Sequence, residues 1–295
     1  MDLAAGNHSL GDEAKEEKQM LAVRAFKFTL VVIFALWGAV VQAADRDRLE
    51  AFLEVTGFDV ALESIKLSAG TAPEMIGLEA EAFGSEWTRL TREVFDVEIM
   101  HMLAIDILEK TLGDRELEHA ASFYASDLGQ RLVAAENDSH LQEDEDLKSE
   151  VGDAIVEGLT RLESPRLAYL ERMNAASGSA ESGIRAIQEI QVRFLLAASG
   201  AGVIDLQMDE PDLRELLQQD VDALRAAIDV SAMSGSAFTY QAFSDEEVLE
   251  YAKALEHEDM KAVYELMNAV QYEIMANRFE ALAAAMGNLQ PSEEL

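Results

Sequence analysis

The sequence has no cysteine at all. Disulfides, thiolate nucleophiles and cysteine-ligated zinc or iron–sulfur sites are thereby excluded, and stability must come from an ordinary apolar core. Proline occurs only four times, and no alternating apolar–polar stretch flanked by hairpin turns is present. Basic residues are scarce as well, 23 against 57 acids, for a formal charge of −34. Such a surface repels phosphate backbones and anionic headgroups, which argues against nucleic acid and against a peripheral membrane role. No GxSxG, HExxH or P-loop pattern occurs, and no cofactor is implied.

What is present begins with an apolar run. Arg24 and Lys27 precede an uncharged stretch from Phe28 to Ala44, whose dense centre, Leu30 to Val41, is twelve residues long. A spanning helix wants about 18 or more apolar residues, whereas roughly 10 to 14 suit the core of an export signal. Val41-Gln42-Ala43 then offers the short residues that a signal peptidase accepts. We therefore expect residues 1–43 to be an N-terminal extension with a cleaved signal peptide and the mature chain to be periplasmic. No stable membrane insertion is expected after cleavage; the alternative is an uncleaved anchor in the inner membrane. The residues before Met20 carry five acids and two lysines, the wrong sign for the start of a signal, so Met20 rather than Met1 is a candidate start.

Apolar residues elsewhere recur at helical spacing, as at Trp87, Leu90, Val94 and Val97. The expected class is all-α, a helical bundle built from two related helical-hairpin halves. The first half is 44–176, the small-residue stretch 177–183 is a linker, and the second half is 184–295, a degenerate repeat. Helices are expected over residues 46–55, 60–68, 86–110, 127–137, 147–162, 165–176, 184–207, 211–232, 246–255 and 259–286, with a further short helix ending at Phe123-Tyr124. At an offset of 131, the start at Gly113 and Glu116 recurs as Ser244 and Glu247, where serine and glutamate form a capping box.

Within this repeat, Glu116, Phe123, Tyr124, Ser126, Gly129 and Gln130 follow an acidic helix start, an aromatic pair, a serine and a Gly-Gln. The run from Glu93 to Glu136 thereby resembles the bacterial domain of unknown function 2059 family, and Thr56-Gly57 is similar to the end of that family's N-terminal helix. In the second half Ala254-Leu255 and Met260-Lys261 replace the aromatic pair and the Gly-Gln. The resemblance implies an exported, all-helical protein and carries no catalytic residues across.

Few residues invite chemistry. Glu98 with His101, and Glu116 with His119, are two ExxH pairs of the kind used in carboxylate-bridged metal bundles. If the chain reverses near Gly113, however, they miss each other by roughly 9 Å along an antiparallel hairpin. No metal site is assigned to them. Gly200-Ala201-Gly202 lies in a helical stretch and reads as close helix packing, and 143–146 lacks the turn glycine of a calcium loop. Phe123, Tyr124, Gly129 and Gln130 are the candidate partner or ligand contacts. For the aromatic pair the competing reading is core packing, with the Tyr124 hydroxyl at the surface. The methionine-rich face of the last helix suits a core or an adaptable contact surface. The functional expectation is a non-catalytic protein acting through an unidentified envelope partner. The alternatives are an apolar ligand held between the halves, or a metal-dependent enzyme using the two ExxH pairs.

Overall fold

A computed structural model of the chain describes residues 45–69, 72–73, 84–142, 144–178 and 180–289. The apolar run and both candidate starts lie outside these residues. Every regular element among the described residues is a helix, and no β-strand forms. In chain order the helices are α1 (Arg46–Thr56), α2 (Phe58–Ser68), α3 (Gly84–Val94), α4 (Val97–Thr111), α5 (Asp114–Tyr124), α6 (Asp127–His140) and α7 (Glu145–Arg161). They continue as α8 (Arg166–Ser177), α9 (Ala180–Gly200), α10 (Glu210–Gln218), α11 (Val221–Thr239), α12 (Asp245–Leu255) and α13 (Glu258–Met286).

The boundaries follow local chemistry. Asp45 caps α1, and Gly57 ends it in the left-handed region at φ 67°, a conformation that costs glycine little. Ser164 accepts from the Arg166 amide at the start of α8, just after the proline expected there. The expected capping box of Ser244 and Glu247 forms at α12, while its counterpart at Gly113 lacks a side-chain cap bond.

Helices α5 and α12 start 131 residues apart and end 131 residues apart, and α6 and α13 start at the same offset. Packing repeats too. Helix α1 lies on α5 as α8 lies on α12, and α2 lies on α6 as α9 lies on α13. Helix α2 also touches α4 as α9 touches α11. This arrangement is compatible with two related helical sets. Helix α7 joins them in sequence and packs on α11.

Four expectations change. The helix expected over 86–110 is two, because Asp96 accepts from the amides of Glu98 and Ile99 and restarts the chain as α4. Phe95 at the break is fully buried, edge-on to Phe279 at 5.3 Å, so the apolar period runs through the interruption. The stretch 211–232 is likewise divided, between α10 and α11. Segment 177–183 is largely helical, since α9 starts at Ala180, and α8 packs on helices that follow it. Finally, Gly200 has open space where a Cβ would stand, so it does not mediate close packing. Gly202 instead takes φ +74° and closes the end of α9, with Val203 donating to the Ala198 carbonyl in a Schellman pattern.

Candidate functional site: a tyrosine-floored cavity

The corner between α5 and α6 positions the site. Ser126 caps α6 by accepting from the Gly129 amide at 3.0 Å. Gln130 reaches back and donates to the Tyr124 carbonyl at 2.6 Å, satisfying a carbonyl that the end of α5 would leave unpaired. Gly129 lies so close to the preceding helix that a Cβ would run into the Phe123 carbonyl oxygen and the Tyr124 Cα. These three contacts explain why serine, glycine and glutamine stand at this spacing. They fix the direction of Tyr124.

Tyr124 points inward, and its hydroxyl is buried rather than at the surface. It meets the Tyr264 hydroxyl, which in turn lies 2.7 Å from that of Tyr251. Tyr251 and Tyr240 both donate to Glu136 Oε1, at 2.9 and 2.7 Å. Each hydroxyl has one proton, so the carboxylate orders the chain: Tyr251 gives its proton to Glu136, Tyr264 donates to Tyr251, and Tyr124 donates to Tyr264. Phe123 stacks on Tyr251 with nearly parallel rings, their centroids 5.8 Å apart. The aromatic pair thus serves one cluster, with Tyr124 bonded into it and Phe123 covering it.

These hydroxyls and Glu136 form the floor of a cavity of about 940 Å³. Phe52 and Phe58 from α1 and α2, Met173 from α8, Met233 from α11 and Met267 from α13 contribute apolar wall, and Asn174, Asn268 and Gln271 interrupt it with polar groups. Glu136 sits deep below the protein surface yet stays partly accessible, because it opens on this cavity. Burial pushes its pKa up, and the bonds from Tyr240 and Tyr251 offset only part of that. Its second oxygen receives no hydrogen bond among the described residues. On the same wall, partial desolvation by surrounding groups and then Lys148 lower the pKa of the exposed His140, which favours the neutral ring.

The metal candidates do not assemble as a set. His101 is held between α1 and α2, with Nδ1 at 2.5 Å from Asp59 and Nε2 at 2.6 Å from Glu50. Two opposite ring nitrogens cannot serve one ion. Glu98 is exposed, and the Glu116 carboxylate folds over Gly113 at its own helix start, as a capping residue would. His119 stacks on His257, a partner the sequence did not suggest. The loop at Asp144 to Asp146 is a helix start, with Asp144 capping α7.

Sequence reasoning missed Glu136, Tyr240, Tyr251 and Tyr264. A signal for the first was present: Glu136 falls one turn after Leu132 and Val133, on the buried stripe of α6. An acid on such a stripe needs a partner or a cavity.

The fold and site define an all-helical protein with a partly open, tyrosine-floored cavity. Residues 98–157 match the model of a family described as an uncharacterized protein conserved in bacteria (DUF2059). The matched span runs from α4 into α7 and contains the α5–α6 corner, Tyr124 and Glu136. No curated protein and no solved structure matches the chain.

Proposed function

We propose that this is an exported, periplasmic, non-catalytic protein that holds a small organic molecule in the cavity between its helical sets. The observation that carries the reading is the cavity itself, with one Glu136 oxygen at its floor that receives no hydrogen bond among the described residues. Ligand sites are typically clefts of about 300–1,000 Å³, mostly apolar, with a few polar groups that fix orientation. The proposed occupant has an apolar body against the phenylalanine and methionine walls and a hydrogen-bond donor directed at Glu136. Export is supported by the short apolar run at Phe28 to Ala44. Delivery to, or exchange with, an envelope partner is compatible with such a carrier.

Gly235 of α11 gives a direct test. It lines the cavity, and a Cβ built on it meets nothing within 4 Å. Titration with the apolar dye N-phenyl-1-naphthylamine should show saturable binding at one site per chain. Gly235→Leu should fill the space, keep the fold and remove that binding. Dye binding that the leucine leaves unchanged, or no binding to the delipidated wild type, would overturn the proposal.

A further inference from the structure

Away from the cavity, His119 of α5, His257 and Asp259 meet where α12 turns into α13. We propose that these three residues bind a zinc ion that clamps the first helical set to the second. One ligand atom from each lies within 4.8 Å of the others. Tetrahedral zinc, with bonds of about 2.0–2.1 Å, requires separations of about 3.4 Å, so the group must close by at most about 1.4 Å. His257 can supply that movement, since its side chain is 49% exposed at a helix corner.

Three features favour an ion over a chance contact. His119 and His257 meet across the two helical sets with centroids 4.1 Å apart and planes 19° from parallel, and because each lone pair lies in its own ring plane, binding one ion turns the exposed His257 ring out of the stack. Asp259 is nearly buried, and its two oxygens have separate duties. Oδ1 lies 2.6 Å from the Arg115 guanidinium, while Oδ2 faces His257 Nδ1 at 3.9 Å. Arg115 holds the carboxylate by charge, and buried Oδ1 receives no hydrogen bond among the described residues, so the carboxylate keeps lone pairs for an ion.

The third feature is the choice of residue at the cap. In the first helical set Ser126 caps α6 with a 3.0 Å bond. At the same position in the second set His257 manages only a 3.3 Å bond from the Asp259 amide. Histidine is not among the favoured caps, and serine would serve the helix better. A metal ligand at this position explains the weaker choice, and because Nδ1 has one lone pair, zinc bound at that nitrogen replaces the amide bond. Two imidazoles and a carboxylate, without sulfur, suit zinc, with water in the fourth position. The acidic surface raises the local concentration of divalent cations.

The test uses the untagged mature protein and zinc alone. Isothermal titration should show one equivalent bound, with affinity reduced at least tenfold by His119→Gln and by His257→Ser. The second variant restores a good cap, so loss of binding there is not loss of folding. His101→Gln should bind as the wild type does. Less than a tenth of an equivalent bound would overturn the proposal. So would binding that His257→Ser leaves intact, or multiple weak sites that magnesium displaces equally well.

Discussion

Gly129 of α6 lies against the Phe123 carbonyl of α5, with no room between them for a methyl group. Gly129→Ala must therefore move backbone rather than a flexible side chain. We expect a loss of about 2–3 kcal/mol, read as a lower urea midpoint. Gly158 on α7 is the contrast, because a Cβ there meets nothing within 4 Å. Gly158→Ala should gain about 0.5–1 kcal/mol from helix propensity alone. Equal effects at the two sites would refute the packing explanation.

Glu136 has its pKa raised by burial, so its charged form is worse off in the fold than in water. A raised carboxylate pKa destabilises the fold above that pKa, and the penalty fades as pH falls through it. Glu136→Gln should accordingly stabilise the protein at neutral pH by something on the order of 1 kcal/mol. The gap should narrow in mild acid. Urea titrations at the two pH values decide it, and a glutamine variant weaker at neutral pH would contradict the sign.

His101 shows the opposite linkage. Burial alone would lower its pKa, but the bonds to Asp59 and Glu50 outweigh burial and raise it. The stabilisation from the imidazolium is then fully present below the ordinary imidazole range and is lost as pH rises through the raised value. Wild type should exceed His101→Gln by on the order of 1 kcal/mol at about pH 6, and by less at about pH 9. Thermal melts of the pair check this; a gap that widens with pH would reverse the assignment.

Arg166 is buried, donating at 2.8 Å to Asp245 and at 2.5 Å to the Tyr240 carbonyl. It joins the start of α8 to the end of α11 and the start of α12. Arg166→Met keeps the apolar stem and leaves the Tyr240 carbonyl without this donor, at a cost of about 2–3 kcal/mol. Because Tyr240 also donates to Glu136, dye affinity in the cavity should fall with it. Unchanged affinity would separate the two.

The helical class, most boundaries and the offset of 131 were legible, because caps such as Ser126, Ser244 and Gly57 act on their own neighbours. The breaks at Phe95-Asp96 and Gln219-Asp220 were not, since an uninterrupted apolar period masks a change of axis. For the site, Tyr124, Gly129 and Gln130 could be nominated from one short motif. Their roles could not: glycine and glutamine proved to shape the corner, and only Tyr124 reaches the cavity. Tyr240, Tyr251 and Tyr264 come from helices more than a hundred residues away in sequence, where spacing carries no information. The pairing of His119 with His257 was hidden for the same reason.

Four of the six tyrosines in this chain belong to the cluster around Glu136. Burial raises the pKa of each, so each ionises at higher pH than a free tyrosine while the helices around it stay packed. In alkali their ultraviolet signal therefore lags behind that of a free tyrosine and rises as the protein opens. The molecule carries its own optical gauge of unfolding, one that needs no label and no added probe.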